Sequence, residues 1–263
     1  MCLLVFALKA HSYYDLILAA NRDEYYDRPA EPASWWPEAP HLLSGRDLKG
    51  GGTWLGITRG GRLGALTNYR DPKSLKLGAQ SRGLLVREFL LGNLDPEAYL
   101  ERLKPRAGRY NGFNLLLGVR DRLFWYSNLK GDHLQLGPGI YGLSNGLLDI
   151  PWPKVVRAKQ LLASLLENHR EIPEQKLFEI LGDRSVPDDR DLPDTGVGLE
   201  RERLLSPIFI RSPGYGTRCS TVILIDRRGR TTFVEKTFDQ VTDGSEFRKY
   251  EFQIEGEHGK FQC

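Results

Sequence analysis

The chain is poor in cysteine: Cys2, Cys219 and Cys263 are the only three among 263 residues. Three cysteines at such irregular spacing cannot build a disulfide framework, which points to a reducing compartment with the cytosol as the default. Histidine is scarce as well. His11, His41, His133, His169 and His258 stand apart in no metal-ligand spacing and are expected on the surface or in loops. Charge of one sign is lacking too: 37 basic and 34 acidic residues leave a net charge of +3, and Lys and Arg are scattered, so there is no stripe for nucleic acid or a membrane surface. No stretch approaches the ~20 apolar residues of a membrane helix. The Leu3–Leu8 run lacks the flanks of a secretory signal, and Asp15, Asp23, Glu24 and Asp27 make the first thirty residues too acidic for a transit peptide. Gly45 and Gly50 have the opening spacing of a phosphate loop, but Gly51-Gly52 stands where Lys-Ser or Lys-Thr is required, which excludes nucleotide binding there. A Cys-x-x-Cys-His attachment motif is absent, so covalent haem is excluded.

What is present is enough apolar residue, 40% of the chain, to fill one large core, and residues 1–263 are read as a single domain. Cys2–Leu8 and Leu16–Arg22 are apolar runs joined by a polar turn, the pattern of a strand hairpin. Neither run alternates, so both faces of the hairpin must be covered. A loop symmetric about Ser12 sets Leu8 against Leu16 and Cys2 against Arg22; a slip of one residue would substitute Asn21 or Asp23. Residues 25–50, rich in Pro and aromatics, read as an ordered irregular loop that could wall a pocket or cover a sheet edge. Gly60-Gly61 marks a second hairpin ending at Asn68. Helical spacing covers 80–91, 96–104, 152–168 and 173–181, with Asp95-Pro96 giving an N-cap and a first-turn proline. Further strands are expected at 113–119, 123–127 and 140–145, and in closing segments at 219–226, 231–238 and part of 247–254; residues 183–198 read as a surface excursion. Strands, two helices, strands, two helices and strands fit an α+β fold, a four-layer α-β-β-α sandwich of two antiparallel sheets.

Chemistry concentrates at the start of the chain. If Met1 is trimmed, as a small second residue permits, Cys2 carries a free thiol and a free α-amine on one residue, with ordinary pKa values of about 8.5 and 7.7–8.0. One group can then activate the other. A guanidinium at Arg22 across the ladder would favour thiolate, the usual way a cysteine nucleophile is activated. The bland alternative is a small hydrophobe opening a buried strand, with Arg22 bridging Asp23 or Glu24.

Met1-Cys2, Asn21-Arg22-Asp23-Glu24, Gly52-Thr53-Trp54-Leu55-Gly56, Leu66-Thr67-Asn68-Tyr69-Arg70, Leu143-Ser144-Asn145 and Thr217-Arg218-Cys219-Ser220-Thr221 together resemble the family named after its Asn-Arg-Asp-Glu tetrapeptide, also called the Transport and Golgi organization protein 2 family. That family is similar to N-terminal nucleophile hydrolases of the choloylglycine hydrolase and penicillin V acylase type, which implies the four-layer sandwich. The resemblance further implies Cys2 as nucleophile, Arg22 as thiolate stabiliser and Asp23 as holder of the α-amine. Asn68 would be an oxyanion donor, Asn145 a second polar contact and Arg218 a late basic partner. The hydrolases space their Arg and Asp three apart whereas Arg22 and Asp23 are adjacent, so Glu24 is the alternative for the acidic role and Asn21 for the first position. Asn21, Glu24, Trp54 and Tyr69 are the candidate substrate contacts.

Two functions stay open. One is a cysteine amidase or thioesterase acting on an acylated small molecule, without a cofactor. The other, implied by the family's links to secretory-pathway organisation, lipid metabolism and haem trafficking, is a non-catalytic carrier for noncovalent haem or a lipid-like ligand. Trp35, Trp36 and Trp54 would supply its aromatic walls.

Overall fold

The computed structural model describes residues 2–120, 122–239 and 244–255, with Cys2 represented by its backbone. Met1, the Cys2 side chain, His258 and Cys263 lie outside the described residues. Cys2–Leu8 (β1) and Tyr14–Tyr25 (β2) form the first hairpin, in the register that the symmetric loop dictates: Leu8 opposes Leu16 and Cys2 opposes Arg22.

Residues 25–50 are not the irregular loop expected from their composition. Ala30–Trp36 (β3) and Ala39–Asp47 (β4) pair as an antiparallel hairpin. Proline is tolerated because β3 is the edge of its sheet, where a missing N–H costs no ladder bond. Pro32 falls at the register irregularity between Glu31 and Ser34, and Pro37 lies in the turn. The aromatics are anchors: Trp36 is buried and its Nε1 donates to the Ser44 carbonyl at 3.1 Å.

Leu55–Thr58 (β5) and Arg62–Asn68 (β6) flank the Gly60-Gly61 turn, where Gly61 takes φ +79°, a left-handed value that favours glycine. Gly83–Leu91 (α1) and Pro96–Leu103 (α2) follow, the second capped by Asp95, which accepts from the Glu97 N–H at 3.0 Å. Phe113–Val119 (β7), Arg122–Ser127 (β8), His133–Gln135 (β9) and Gly139–Leu143 (β10) precede Pro153–Asn168 (α3) and Glu174–Leu181 (α4). Residues 183–198 are largely irregular, but a short helix not foreseen, Leu199–Leu205 (α5), comes next. Arg211–Ser212 (β11), Tyr215–Asp226 (β12), Arg230–Phe238 (β13) and Ser245–Gln253 (β14) close the chain.

The strands make two antiparallel sheets. One runs β10-β1-β2-β12-β13-β14 with β11 beside β12; the other runs β3-β4-β5-β6-β7-β8-β9. Because β1 and β2 are interior strands, alternate residues of their apolar runs enter different cores. Leu4, Phe6 and Leu8 pack between the sheets with Leu43, Ile57 and Trp125, while Leu3, Val5 and Ala7 pack against Val155, Leu162 and Leu177 of α3 and α4. On the far side, Leu85, Phe89 and Leu100 of α1 and α2 cover the second sheet. The architecture is the α+β four-layer sandwich that the element order implied. No helix among the described residues is long and apolar enough to cross a membrane.

Candidate functional site

The end of β2 builds the site, because it carries three charged residues beyond the apolar stretch. Arg22 shares its ladder face with Ala20 and Leu18 and so points between the sheets, where its guanidinium carbon lies 4.1 Å from the centre of the Trp54 ring. Gly45 makes that shelf possible: a Cβ there would come within 2.4 Å of the Trp54 ring, so the indole lies flat on bare backbone. Arg22 is 5% exposed, yet among the described residues its guanidinium has no hydrogen bond or ion pair. A desolvated guanidinium resting on an aromatic face keeps its edge donors for something else. Those donors border an open cavity of about 310 Å³, lined also by Asp23, Glu24, Trp54, Asn68 and Arg82. Arg28 closes one wall through Nη2 to Asp47 Oδ2 at 2.8 Å. Burial alone would raise the Asp47 carboxyl, but the Arg28 and Gly50 hydrogen bonds outweigh it and hold Asp47 below the usual range.

Asp23 alternates to the other face of β2 and is buried, accepting from Thr217 Oγ1 at 2.7 Å. Burial pushes its carboxyl up, against the pull of Lys154, the charged amino terminus, the Thr217 hydrogen bond and Arg70. Lys154 is itself buried and donates from Nζ to the Leu205 carbonyl at 2.8 Å. Arg70 pairs with Glu202 at 2.5 Å, both buried, and Glu202 also accepts from the Thr195 N–H at 2.8 Å. Residues more than 120 positions downstream thus surround the tetrapeptide.

Asn68 ends β6 on the same cavity, half-buried. Asn145 does not line it. It stays fully buried and fixes Asn68 from behind, its Nδ2 donating to the Asn68 carbonyl at 2.8 Å while its own carbonyl accepts from the Arg70 N–H at 2.8 Å. Tyr69 faces a second, adjoining cavity of about 500 Å³, which shares Glu24, Asn68 and Arg82 with the first and is walled by Leu75, Val197, Leu204 and Tyr215. Glu24 lies between the two cavities, and its Oε2 is 3.7 Å from Arg28 Nε.

Like Asn145, two more of the sequence candidates sit apart from the two cavities. The Asn21 side chain is committed to the helical layer: Nδ2 donates to the carbonyls of Leu181 and Ile208 at 2.8 and 2.9 Å, and Oδ1 accepts from Ser220 at 2.6 Å. Alternation along β2 sends it away from Arg22. Arg218 occupies the bulge where Thr217 opposes Asp23 and Cys219 opposes Arg22, and it braces backbone, donating to the Tyr25 and Arg28 carbonyls at 2.8 and 2.9 Å. Burial, then the like charge of Arg22, pushes its guanidinium pKa down. Arg218 therefore supports the segment that carries Arg28.

Sequence reasoning missed Glu235. This carboxyl is buried between the sheets, accepts from the Ala33 N–H at 2.6 Å and so ties β13 to β3. Burial pushes its pKa up, opposed by that hydrogen bond, by the Cys219 thiol, by Thr221 and by the charge of Arg22. An acid in the middle of a strand otherwise reading Phe233-Val234 was the available signal. No group of three or more His, Cys, Asp or Glu among the described residues has the geometry to hold a metal ion.

The fold and the site can be set beside known proteins. Among solved structures, a Caenorhabditis elegans N-acylethanolamine-hydrolyzing acid amidase ortholog aligns over 85% of this chain and 92% of its own, at 14% identity and a TM-score of 0.41. A mutant conjugated bile acid hydrolase from Clostridium perfringens aligns over 97% and 98%, at 11% identity and a TM-score of 0.42. Likeness at that level carries no inference about chemistry. The sequence relatives are nearer. The Transport and Golgi organization protein 2 homolog of Bos taurus is 40% identical, covering 90% of this chain and 93% of its own length, and that of Homo sapiens is 38% identical, covering 97% and 100%. The family model described as Transport and Golgi organisation 2 matches residues 1–240, and the chain belongs to that family.

Proposed function

We propose that the protein is an N-terminal cysteine hydrolase acting on an amide or thioester of an acylated small molecule. The observation that carries the reading is the register: Cys2 stands opposite Arg22, whose guanidinium, without a hydrogen bond or ion pair among the described residues, shares one open cavity with Asp23 and Asn68. With Met1 removed, the Cys2 amine accepts the thiol proton and the thiolate attacks the substrate carbonyl. A sulfur–carbon bond forms as the carbonyl π pair moves onto oxygen. Arg22 and the Asn68 side-chain amide supply donors for that oxyanion. Its collapse breaks the bond to the leaving amine or thiol, which takes the proton from the α-ammonium. Water then cleaves the acyl-enzyme by the same steps and frees a carboxylic acid. Asp23, held by Thr217, is the group assigned to accept a hydrogen bond from the amine. A free thiol persists most readily in a reducing compartment, and the cytosol is the proposed location.

The test is hydrolysis of acyl amides and acyl thioesters by purified protein and by its Cys2→Ala and Asn68→Ala variants. Cys2→Ala should be inactive, and Asn68→Ala should lose about 10²- to 10³-fold in kcat, as for loss of one oxyanion donor. Wild-type rates from Cys2→Ala would defeat the reading.

A second reading, a non-catalytic carrier of haem or a lipid-like ligand, draws support from the larger cavity. Its volume of about 500 Å³ and its mostly apolar wall suit a small organic ligand. Titration with haem and with acyl-CoA, followed by Trp fluorescence, should then give saturable binding that Cys2→Ala leaves intact; no response to either ligand removes this reading.

A further inference from the structure

The loop after β6 departs from ordinary loop behaviour. Residues 75–77 read Leu-Lys-Leu, and Leu75 is 61% exposed while Leu77 is fully exposed. An apolar loop tip in water is normally either mobile or covered. This one is fixed: the Lys76 N–H donates to Asn111 Oδ1 at 2.7 Å, Asn111 Nδ2 donates back to the Lys76 carbonyl at 3.3 Å, and Lys76 Nζ donates to the Gly108 carbonyl at 2.6 Å. Gly78, at φ +73° with open space around it, turns the chain back. The fold therefore holds two leucines out into solvent by tying down the residue between them.

Basic residues frame the same edge. Lys73 is exposed, and its side chain has no carboxylate partner among the described residues. Arg201 on α5, exposed and equally without a partner among them, lies with Leu204 and Leu75 on the rim of the 500 Å³ cavity. Lys73 sits against the segment that carries Val197, because a Cβ placed on Gly196 would be 3.6 Å from Lys73 Cε. Asp71 is the acid nearest in sequence, and it is occupied in capping the turn, accepting from the Lys73 N–H at 3.2 Å. Exposed leucines beside two cations, Lys73 and Arg201, next to an apolar-walled cavity match an interface that is greasy inside and negative at its surface.

We propose that this edge is a docking surface for an anionic phospholipid bilayer, with Leu75 and Leu77 entering the acyl boundary and Lys73 and Arg201 meeting the headgroups. Docked this way, the larger cavity opens toward the lipid, and an amphipathic ligand can reach it without crossing water. The surface is independent of the chemistry at Cys2, so the Cys2→Ala protein docks as the wild type does.

The experiment is co-sedimentation of the full chain with extruded vesicles of phosphatidylcholine alone and of phosphatidylcholine mixed with phosphatidylserine. The protein should sediment with the mixed vesicles, less so as salt is raised. Leu77→Asp should reduce the partition coefficient by about ten-fold or more, the scale of one buried leucine. Lys73→Glu with Arg201→Glu should abolish the preference for phosphatidylserine. Leu134→Asp, at a leucine 52% exposed on β9, is the control and should bind as wild type. Melting curves establish that each variant is folded. The proposal is overturned if the wild type sediments with neither vesicle, if Leu77→Asp binds unchanged, or if Leu134→Asp loses binding equally. It is also overturned if light scattering shows a dimer that Leu77→Asp dissociates, since a second copy would then cover the patch.

Discussion

Glu202→Ala is the perturbation whose cost the structure defines most sharply. The carboxylate accepts Arg70 Nη1 at 2.5 Å and both the Thr195 N–H and hydroxyl, at 2.8 and 2.5 Å, and the paired side chains are only 5% and 3% exposed. Truncation removes the hydrogen-bonded carboxylate from a guanidinium in a low-dielectric site, and removal of one partner from a buried pair costs about 3–5 kcal/mol. For a chain of this size each kcal/mol moves Tm by about 2–4 °C, so a fall of roughly 6–20 °C is expected. Scanning calorimetry at pH 7 measures it. Glu179→Ala is the comparison, because its pair with Lys176 is half exposed on both sides and should be worth about 0–1 kcal/mol. A double replacement, Arg70→Met with Glu202→Leu, should recover most of the loss, since apolar packing can substitute for a buried pair. A Glu202→Ala protein melting with the wild type would refute the claim that this pair is a desolvated brace between the segment after β6 and α5.

Three further outcomes follow from the same geometry. Burial raises the Glu235 pKa above its unfolded value, so the native state holds more protons than the unfolded chain between the two pKa values. Stability therefore falls as pH rises from about 4.3 through the folded pKa, and Glu235→Gln, which keeps an acceptor for the Ala33 N–H, should flatten that fall and be the more stable protein at pH 7. Urea melts at several pH values check the sign. Gly45→Ala should cost about 1–3 kcal/mol and displace Trp54, because its Cβ would come within 2.4 Å of the ring; a shifted tryptophan emission is the readout. Trp54→Ala should free Arg22 from its shelf, costing up to about 2 kcal/mol for a desolvated cation–π contact, and slow alkylation of Cys2 at neutral pH if Arg22 favours the thiolate.

The parts of the fold that could be read from sequence were those with local causes. The symmetric turn around Ser12 and two unbroken apolar runs were enough to fix a seven-residue register and set Cys2 against Arg22. The Asp95-Pro96 start and the Gly60-Gly61 turn were equally local. Residues 25–50 misled because Pro and Trp are loop signals by composition, and nothing local says that a strand will lie at a sheet edge where Pro32 is harmless. The site divides in the same way. Arg22, Asp23, Glu24 and Asn68 were visible as polar endings of apolar strands. Thr217, Lys154, Arg70, Glu202 and Glu235 reach the tetrapeptide through tertiary packing from β12, α3, the segment after β6, α5 and β13; Arg70 and Thr217 stood within the quoted motifs without a role, Glu235 left the trace of an acid within an apolar strand, and Lys154 and Glu202 left none. Asn21 and Arg218 show the converse: residues in the motifs whose side chains serve neighbouring backbone.

The central claim is that Cys2 is a free amino-terminal nucleophile working beside Arg22. Intact-mass and peptide-mass spectrometry of the purified protein, after brief treatment with an acylating or alkylating electrophile at neutral pH, tests it directly. Met1 should be absent, and peptide mapping should place an adduct on Cys2, formed more slowly in Arg22→Ala, while the buried Cys219 thiol remains unmodified. Retention of Met1, or labelling of Cys219 in preference to Cys2, would contradict the account.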